Sequence, residues 1–435
     1  MLKLLSRKVT HSGAVSYRGN LGPRAEEYAF LMKQGIDVKL AKQPAPDTNW
    51  TLVLRHKDWG EARLNGFKES GGIPPTLLDY VVNLTDKEKA DAKAAGVSVG
   101  ISLTSSKDNV LRDRKNLFRF MRAVMSDDAV VAADAGSMMF WSRAALEDEV
   151  AIPGDPDVSA LYCIHAVHED GENPYWLHTH GLEQVGGFDL DILKPSESVA
   201  NGGGDLFRAL AYQVLEGEIQ PSTAKLDLAH PGGVVRLVPV KEFHAKASAA
   251  DRELRDLMED HNRNRSVVCD TSGGLLGWMK GVRPSTFLSK ADTDRCVVHF
   301  TKTATELMAQ RSRATLPLLS GLIDELAEFK LPILAKIGYE TDGDSGGAEH
   351  MWFEVHSVDG DSIDGTLIVQ PFHIKRMNKG DRGFHPTSRL TEWAVMSPFG
   401  KITPEGLTPL RSIREDPKAF KEQVALIRTM EALAG

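Results

Sequence analysis

The chain is predicted to be an α+β protein: a mixed sheet with packed helices in the N-terminal region, then a small β-rich, barrel-like C-terminal domain. Three observations predict this. At 435 residues the chain is too long for one ordinary core. Up to about residue 330, helical and strand periodicities alternate. Beyond Lys330 short strands follow one another, separated by strong turn signals such as Asp359-Gly360-Asp361 and Asn378-Lys379-Gly380-Asp381. The expected units are residues 1–240, an α+β domain, residues 241–330, a helical and irregular extension of it, and residues 331–435, a β-rich domain with a C-terminal helix.

Taken in order, residues 1–75 show one clear strand, Thr51-Leu52-Val53-Leu54. Thr85 and Glu88 stand at capping-box spacing, and Gly96 stands where that helix would end. Val97, Val99, Ile101 and Leu103 alternate as a half-buried strand. Asn109–Met125 has helical spacing and Val130–Ala133 reads as a strand, so a βαβ crossover is expected. Ser137 is expected to cap a helix through Trp141 and Leu146. Further on come a strand over Phe188–Ile192, a helix over Leu206–Leu215, a strand over Val234–Val240, and a surface helix over Ser248–Asn262. The stretch Ser272–Pro284 reads as irregular. A strand over Arg295–Phe300 follows, then a helix from Thr303 to about Phe329, kinked or broken near Pro317. In the last unit strands are expected over Pro332–Tyr339, His350–Val355, Gly365–Val369 and Trp393–Met396. A closing helix over Pro417–Leu433 turns Phe420, Val424, Ile427 and Met430 to one side.

Composition excludes several classes. Sixty acidic against 52 basic residues give a formal charge of -8, which argues against a nucleic-acid surface. No window approaches a membrane-spanning run, so no membrane partner is expected, and the N-terminus reaches polar residues too soon for a signal peptide. The three cysteines, Cys163, Cys269 and Cys296, form no Cys-x-x-Cys pair and suit a reducing cytoplasm.

Chemistry concentrates in one stretch. Four of the 14 histidines lie between Ala160 and Leu182. Asp170-Gly171-Glu172-Asn173 reads as a four-residue hairpin loop, which places His165 opposite His178 and Cys163 opposite His180. Period-two alternation then puts Cys163, His165, His178 and His180 on one face and leaves His168 off it. Val158, Ala160, Tyr162, Ile164 and Ala166 would form the core face with Tyr175 and Leu177. Imidazole and thiolate suit zinc or another borderline transition metal, with Glu183, Asp189 and Asp191 near enough to add a carboxylate. The alternative is architectural: histidines hydrogen-bonded to fix the bend at Gly181.

Other constellations carry less. Gly202-Gly203-Gly204 lacks the pattern of a phosphate loop, and Asp205 is expected as a helix cap. Ser272 lacks a nucleophile-elbow context, and Asp342–Gly347 lacks the spacing of a calcium loop. Trp352, Phe372, Phe384 and Trp393 are candidates to line a peptide-binding groove.

The run Glu349-His350-Met351-Trp352-Phe353-Glu354-Val355, with Gly365-Thr366-Leu367, Pro371, Gly380-Asp381 and Trp393, resembles the bacterial YegJ-like domains of unknown function. The Trp176–Leu182 segment, with Ala209-Leu210-Ala211-Tyr212 and Leu215-Glu216-Gly217, resembles uncharacterised bacterial proteins in which such a domain follows a larger N-terminal part. The resemblance implies a two-part bacterial cytoplasmic protein and carries over no catalytic residue. YegJ-like domains are similar to small immunity-type domains that neutralise toxins by binding them, an analogy of fold only. The leading reading is a non-enzymatic protein-binding protein that needs no cofactor. Its alternative is a metal-binding protein or metal-dependent hydrolase using the histidine hairpin.

Overall fold

The computed structural model describes residues 8–79, 81–106, 109–168, 174–230, 233–255, 264–271, 281–292, 297–342 and 347–434. The expected hairpin loop over 170–173, Ser272 with the glycines after it, Gly343–Gly346 and Cys296 lie outside the described residues.

Three large sheets organise the chain, an α+β fold throughout. The first contains β1 (Val9–Arg18), β2 (Asp37–Leu40), β3 (Thr48–His56), β4 (Gly60–Phe67), β5 (Ala95–Ser105), β6 (Ala129–Asp134) and β7 (Met139–Trp141), in the order β2-β3-β4-β5-β1-β6-β7. Of the strands in residues 1–75, only β3 was anticipated. Val97, Val99, Ile101 and Leu103 are buried as their alternation requires. Strands β5 and β6 both run antiparallel to β1, so they are parallel to each other with β1 between them. The expected crossover is therefore a split one. Its Val110–Val124 helix packs Leu117, Phe118, Phe120, Met121 and Val124 into the first core.

Two helix ends differ from expectation. Thr85 and Glu88 form the capping box on the Asp86–Ala92 helix, but that helix ends at Lys93 and Gly96 already belongs to β5. Ser137 caps no helix. Its hydroxyl donates to Asp134, and Ser142 caps the Arg143–Ala151 helix, because Met139–Trp141 pairs with β6 as a strand.

The second, central sheet is built from β8 (Cys163–Val167), β9 (Trp176–His180), β10 (Asp189–Leu193), β11 (Leu226–Asp227), β13 (Val234–Pro239) and β14 (Arg265–Asp270). Its order is β11-β13-β14-β10-β9-β8, while β12 (Ala229–His230) and β15 (Val297–Val298) form a separate pair. On one face Leu177, Leu190, Ile192, Leu237 and Val268 meet the Gly204–Glu216 helix through Phe207, Leu210 and Ala211. On the other, Trp176, Leu193, Val238 and Val267 meet Phe243 of the Val240–Lys246 helix. Helices on both faces explain why every residue of β10 is buried. The glycines at 202–204 form no open loop: helices end at Gly202 and begin at Gly204, with Asp205 in the first turn rather than at the cap.

The third sheet holds β16 (Ile333–Glu340), β17 (Ala348–Asp359), β18 (Ser362–Leu367), β19 (Arg382–Pro386), β20 (Leu390–Ser397) and β21 (Gly400–Ile402), in the order β19-β18-β17-β16-β20-β21. It is an open antiparallel sheet and does not close into a barrel. Strands β19 and β21, both at the edges, went unseen in the sequence. The expected helix over 303–329 is two helices, Lys302–Ala314 and Leu316–Glu325, with Pro317 in the first turn of the second. Leu319, Leu322 and Leu326 pack in the core of this third sheet. In the Pro417–Ala434 helix Phe420 and Val424 are buried, but Ile427 and Met430 are exposed, so only its first half is anchored. β14, at residues 265–270, lies between β10 and β13 and so joins the central sheet to the chain beyond residue 240.

Candidate metal centre

Strand pairing fixes the geometry of the histidines. β8 and β9 are antiparallel with Cys163 opposite His180, Ile164 opposite Thr179, and His165 opposite His178. That is the register read from the loop length, and it brings three imidazoles together. Their ring centroids are 5.3 Å (His165–His178), 4.5 Å (His165–His180) and 4.8 Å (His178–His180) apart. One ligand nitrogen from each ring can be chosen so that all lie within 4.8 Å of one another. Ligands about 2.0–2.1 Å from a tetrahedral zinc stand roughly 3.3 Å apart, so small side-chain rotations close the set.

Burial grades across the cluster. His178 is 2% exposed and stacks on Trp176, with ring centroids 4.1 Å apart and planes at 28°. His165 and His180 are half-buried. Cys163 shares their face but is not in the cluster. Burial, reinforced by the negative charges of Asp189 and Asp134, pushes its thiol up to about 12, so the sulfur stays protonated at neutral pH. The expected core face is also corrected. Val158, Ala160 and Tyr162 are buried but precede the strand, whereas Ile164 and Ala166 are exposed. β8 is the edge strand, and nothing in the local pattern reveals which strand of a sheet is outermost.

Two of the carboxylates expected beside the histidines, Asp189 and Asp191, accept hydrogen bonds that brace the surrounding strands. Asp189 accepts from Thr179 Oγ1 at 2.8 Å and from the backbone N–H of Leu182 at 3.2 Å, which fixes the turn directly after His180. Asp191, fully buried, accepts from Trp176 Nε1 at 3.1 Å, Arg265 at 2.6 Å and Arg255 Nε at 2.8 Å. Through Trp176 this ion cluster holds the ring on which His178 rests, an indirect support of the kind that orients metal ligands. Gly181 has φ +122°, and a Cβ there would overlap the Leu161 carbonyl oxygen and lie 3.0 Å from Ser137 Cα. The first sheet's Asp134–Ser137 turn thus abuts the histidine strand, and only glycine fits between them.

The aromatic candidates of the third sheet separate. Phe372 and Phe384 are 86% and 78% exposed. Trp352 is half-buried beneath the ammonium groups of Lys336 and Lys401, 5.3 and 5.6 Å from its ring. Trp393 is fully buried and donates from Nε1 to Thr315 Oγ1 at 2.9 Å, so it is core and lines no groove.

The fold and cluster together define an α+β protein with three large sheets among the described residues and a three-histidine constellation at the edge of the central one. Residues 164–268 match the family model described as the C-terminal part of a protein of unknown function, DUF4026. Residues 325–408 match DUF2314, described as an uncharacterized protein conserved in bacteria. The first match takes in all three clustered histidines and the second every strand of the third sheet. No curated protein and no solved structure gives a match. Among the described residues no helix is long and apolar enough to cross a membrane.

Proposed function

We propose that the chain binds a divalent transition-metal ion, zinc foremost, through His165, His178 and His180. The observation that carries this reading is the convergence of three imidazole nitrogens within 4.8 Å on two paired strands. Three neutral nitrogen ligands suit zinc, copper or nickel better than the harder magnesium or calcium. Three protein ligands leave a fourth position for water, the arrangement in which zinc can generate a nucleophile near neutral pH, so hydrolysis is the activity such a centre would support. Cys163 is left out of the ligand set because its sulfur stands outside the cluster. Elemental analysis of the purified full chain tests the proposal. About one equivalent of metal is expected, and less than about 0.1 equivalent after zinc loading and desalting would refute it.

A second reading, binding of a protein partner by the third unit, is favoured by the exposed Phe372 and Phe384. Trp393, buried beneath Thr315, takes no part in it.

A further inference from the structure

A cleft of about 270 Å³ lies where the first unit meets the third, and none of the clustered histidines lines it. Trp141, Ala145, Asp148 and Ala160 form one wall; Lys401, Glu405 and Arg411 belong to the other. It is a wall of indole and methyl groups interrupted by charge, the ordinary make-up of a small-molecule site.

The charges in the cleft are not evenly matched. Its two guanidinium groups are fully engaged. Arg411 donates to Glu88 Oε1 at 3.0 Å, Asp148 Oδ2 at 3.0 Å and the Asn83 carbonyl at 3.0 Å. Arg311 donates to Glu149 Oε2 at 2.6 Å and the Pro404 carbonyl at 3.1 Å. Glu149 is paired with Arg311 and Lys115, but Asp148 and Glu405 are less well served. Arg411 reaches only one oxygen of Asp148, and burial, with Glu147 and Glu88 nearby, raises that carboxyl against the pull of Arg411. Arg208 lies 2.9 Å from Glu405 Oε1, yet off the hydrogen-bonding direction, so this oxygen has charge beside it but no directed donor among the described residues. Burial raises Glu405 as well. Trp141, 6% exposed, has an indole N–H with no acceptor among the described residues, and a buried donor of this kind gains by finding one.

We propose that this cleft is a binding site for a small organic cation that carries an apolar body and one hydrogen-bond acceptor, an amino alcohol or amino amide. Its ammonium group would complete the pairing of Asp148 and Glu405, its apolar part would lie on Trp141, Ala145 and Ala160, and its acceptor would meet the indole N–H.

The test compares three probes of one size and different charge on the full chain by calorimetry: phenylethanolamine, phenyl glycol and mandelate. Saturable binding of the amine is expected, at least about tenfold tighter than the neutral diol, with mandelate weakest. Asp148→Asn should weaken the amine about tenfold or more, and Lys401→Met, at a side chain 41% exposed, should tighten it by removing a like charge. The amine should bind His178→Ala as it binds the unaltered chain, which separates this cleft from the histidine cluster. The proposal is overturned if the diol or mandelate binds as well as the amine, if the amine does not saturate by about 10 mM, or if both Asp148→Asn and Lys401→Met leave its affinity unchanged.

Discussion

The histidine cluster and the charge clusters that join the units are both buried and polar, but they are built on opposite principles. Where units meet, each cation faces carboxylates. Glu149 accepts from Lys115 Nζ at 3.1 Å and from Arg311 at 2.6 Å, and Arg208 meets Asp157 at 2.9 Å while Tyr212 donates to the same carboxylate at 2.6 Å. Opposite charge holds these groups together: Glu149 is closed off by its two cations, and Arg208 keeps Asp157 ionised. At β8 and β9, by contrast, like side chains converge on one another across two strands. Closed networks make architecture, whereas a convergence of identical electron-pair donors gains most from an added cation.

The largest effect should come from opening a closed network. Glu149→Ala leaves Lys115 and Arg311 buried without their carboxylate, and a loss of about 3–5 kcal/mol is expected in urea unfolding of the full chain. Metal affinity of the molecules that remain folded should be unchanged, which keeps the two kinds of cluster distinct.

Next is acid sensitivity. Burial, and then the Arg114 guanidinium beside it, hold His11 down at about 4, against an ordinary 6.5. Between pH 6.5 and 4 the unfolded chain takes up a proton at this site and the folded chain does not, so stability falls on acidification and levels off below about pH 4. The span corresponds to roughly 3 kcal/mol at about 1.36 kcal/mol per pKa unit. Unfolding midpoints followed from pH 7 downward should show this slope, and His11→Gln should flatten it. An unchanged slope in that variant would place the acid-labile group elsewhere.

A smaller and more local effect sharpens the other side of the comparison. Gly181→Ala sets a Cβ against the Leu161 carbonyl and Ser137 at φ +122°, which displaces the residue following His180. Metal affinity is expected to fall about 10–100-fold, the range seen when support of a ligand is disturbed, as measured by chelator competition. Affinity equal to that of the unaltered chain would mean that the turn does not position His180.

What the sequence revealed and what it hid follow from the range of the forces involved. The hairpin register was legible because loop length and period-two alternation are local, and His165 opposite His178 followed from them. The exposure of Ile164 and Ala166 was not, because it depends on β10 and β14 lying on the far side of β9, a choice made by residues up to 100 positions away. The helix expected from Ser137 starts instead at Ser142, because Met139–Trp141 pairs with β6, a non-local contact. Trp393 read as a surface aromatic until the Lys302–Ala314 and Leu316–Glu325 helices covered the third sheet, bringing Thr315 to its indole N–H. The cleft at Trp141 had no sequence signal, since its walls come from residues 82–160 and 311–411. Cys163 pairs with His180 as the register requires, but its distance from the three imidazoles is a three-dimensional fact that strand alternation does not carry.

The most direct test of the histidine centre is a cobalt(II) titration of the full chain, followed by its visible d–d absorption, beside His178→Ala. The account predicts intense four-coordinate bands that saturate at about one cobalt per chain and vanish in the variant. Weak absorption without a saturation point, the same in both proteins, would contradict it and leave the histidines as architecture.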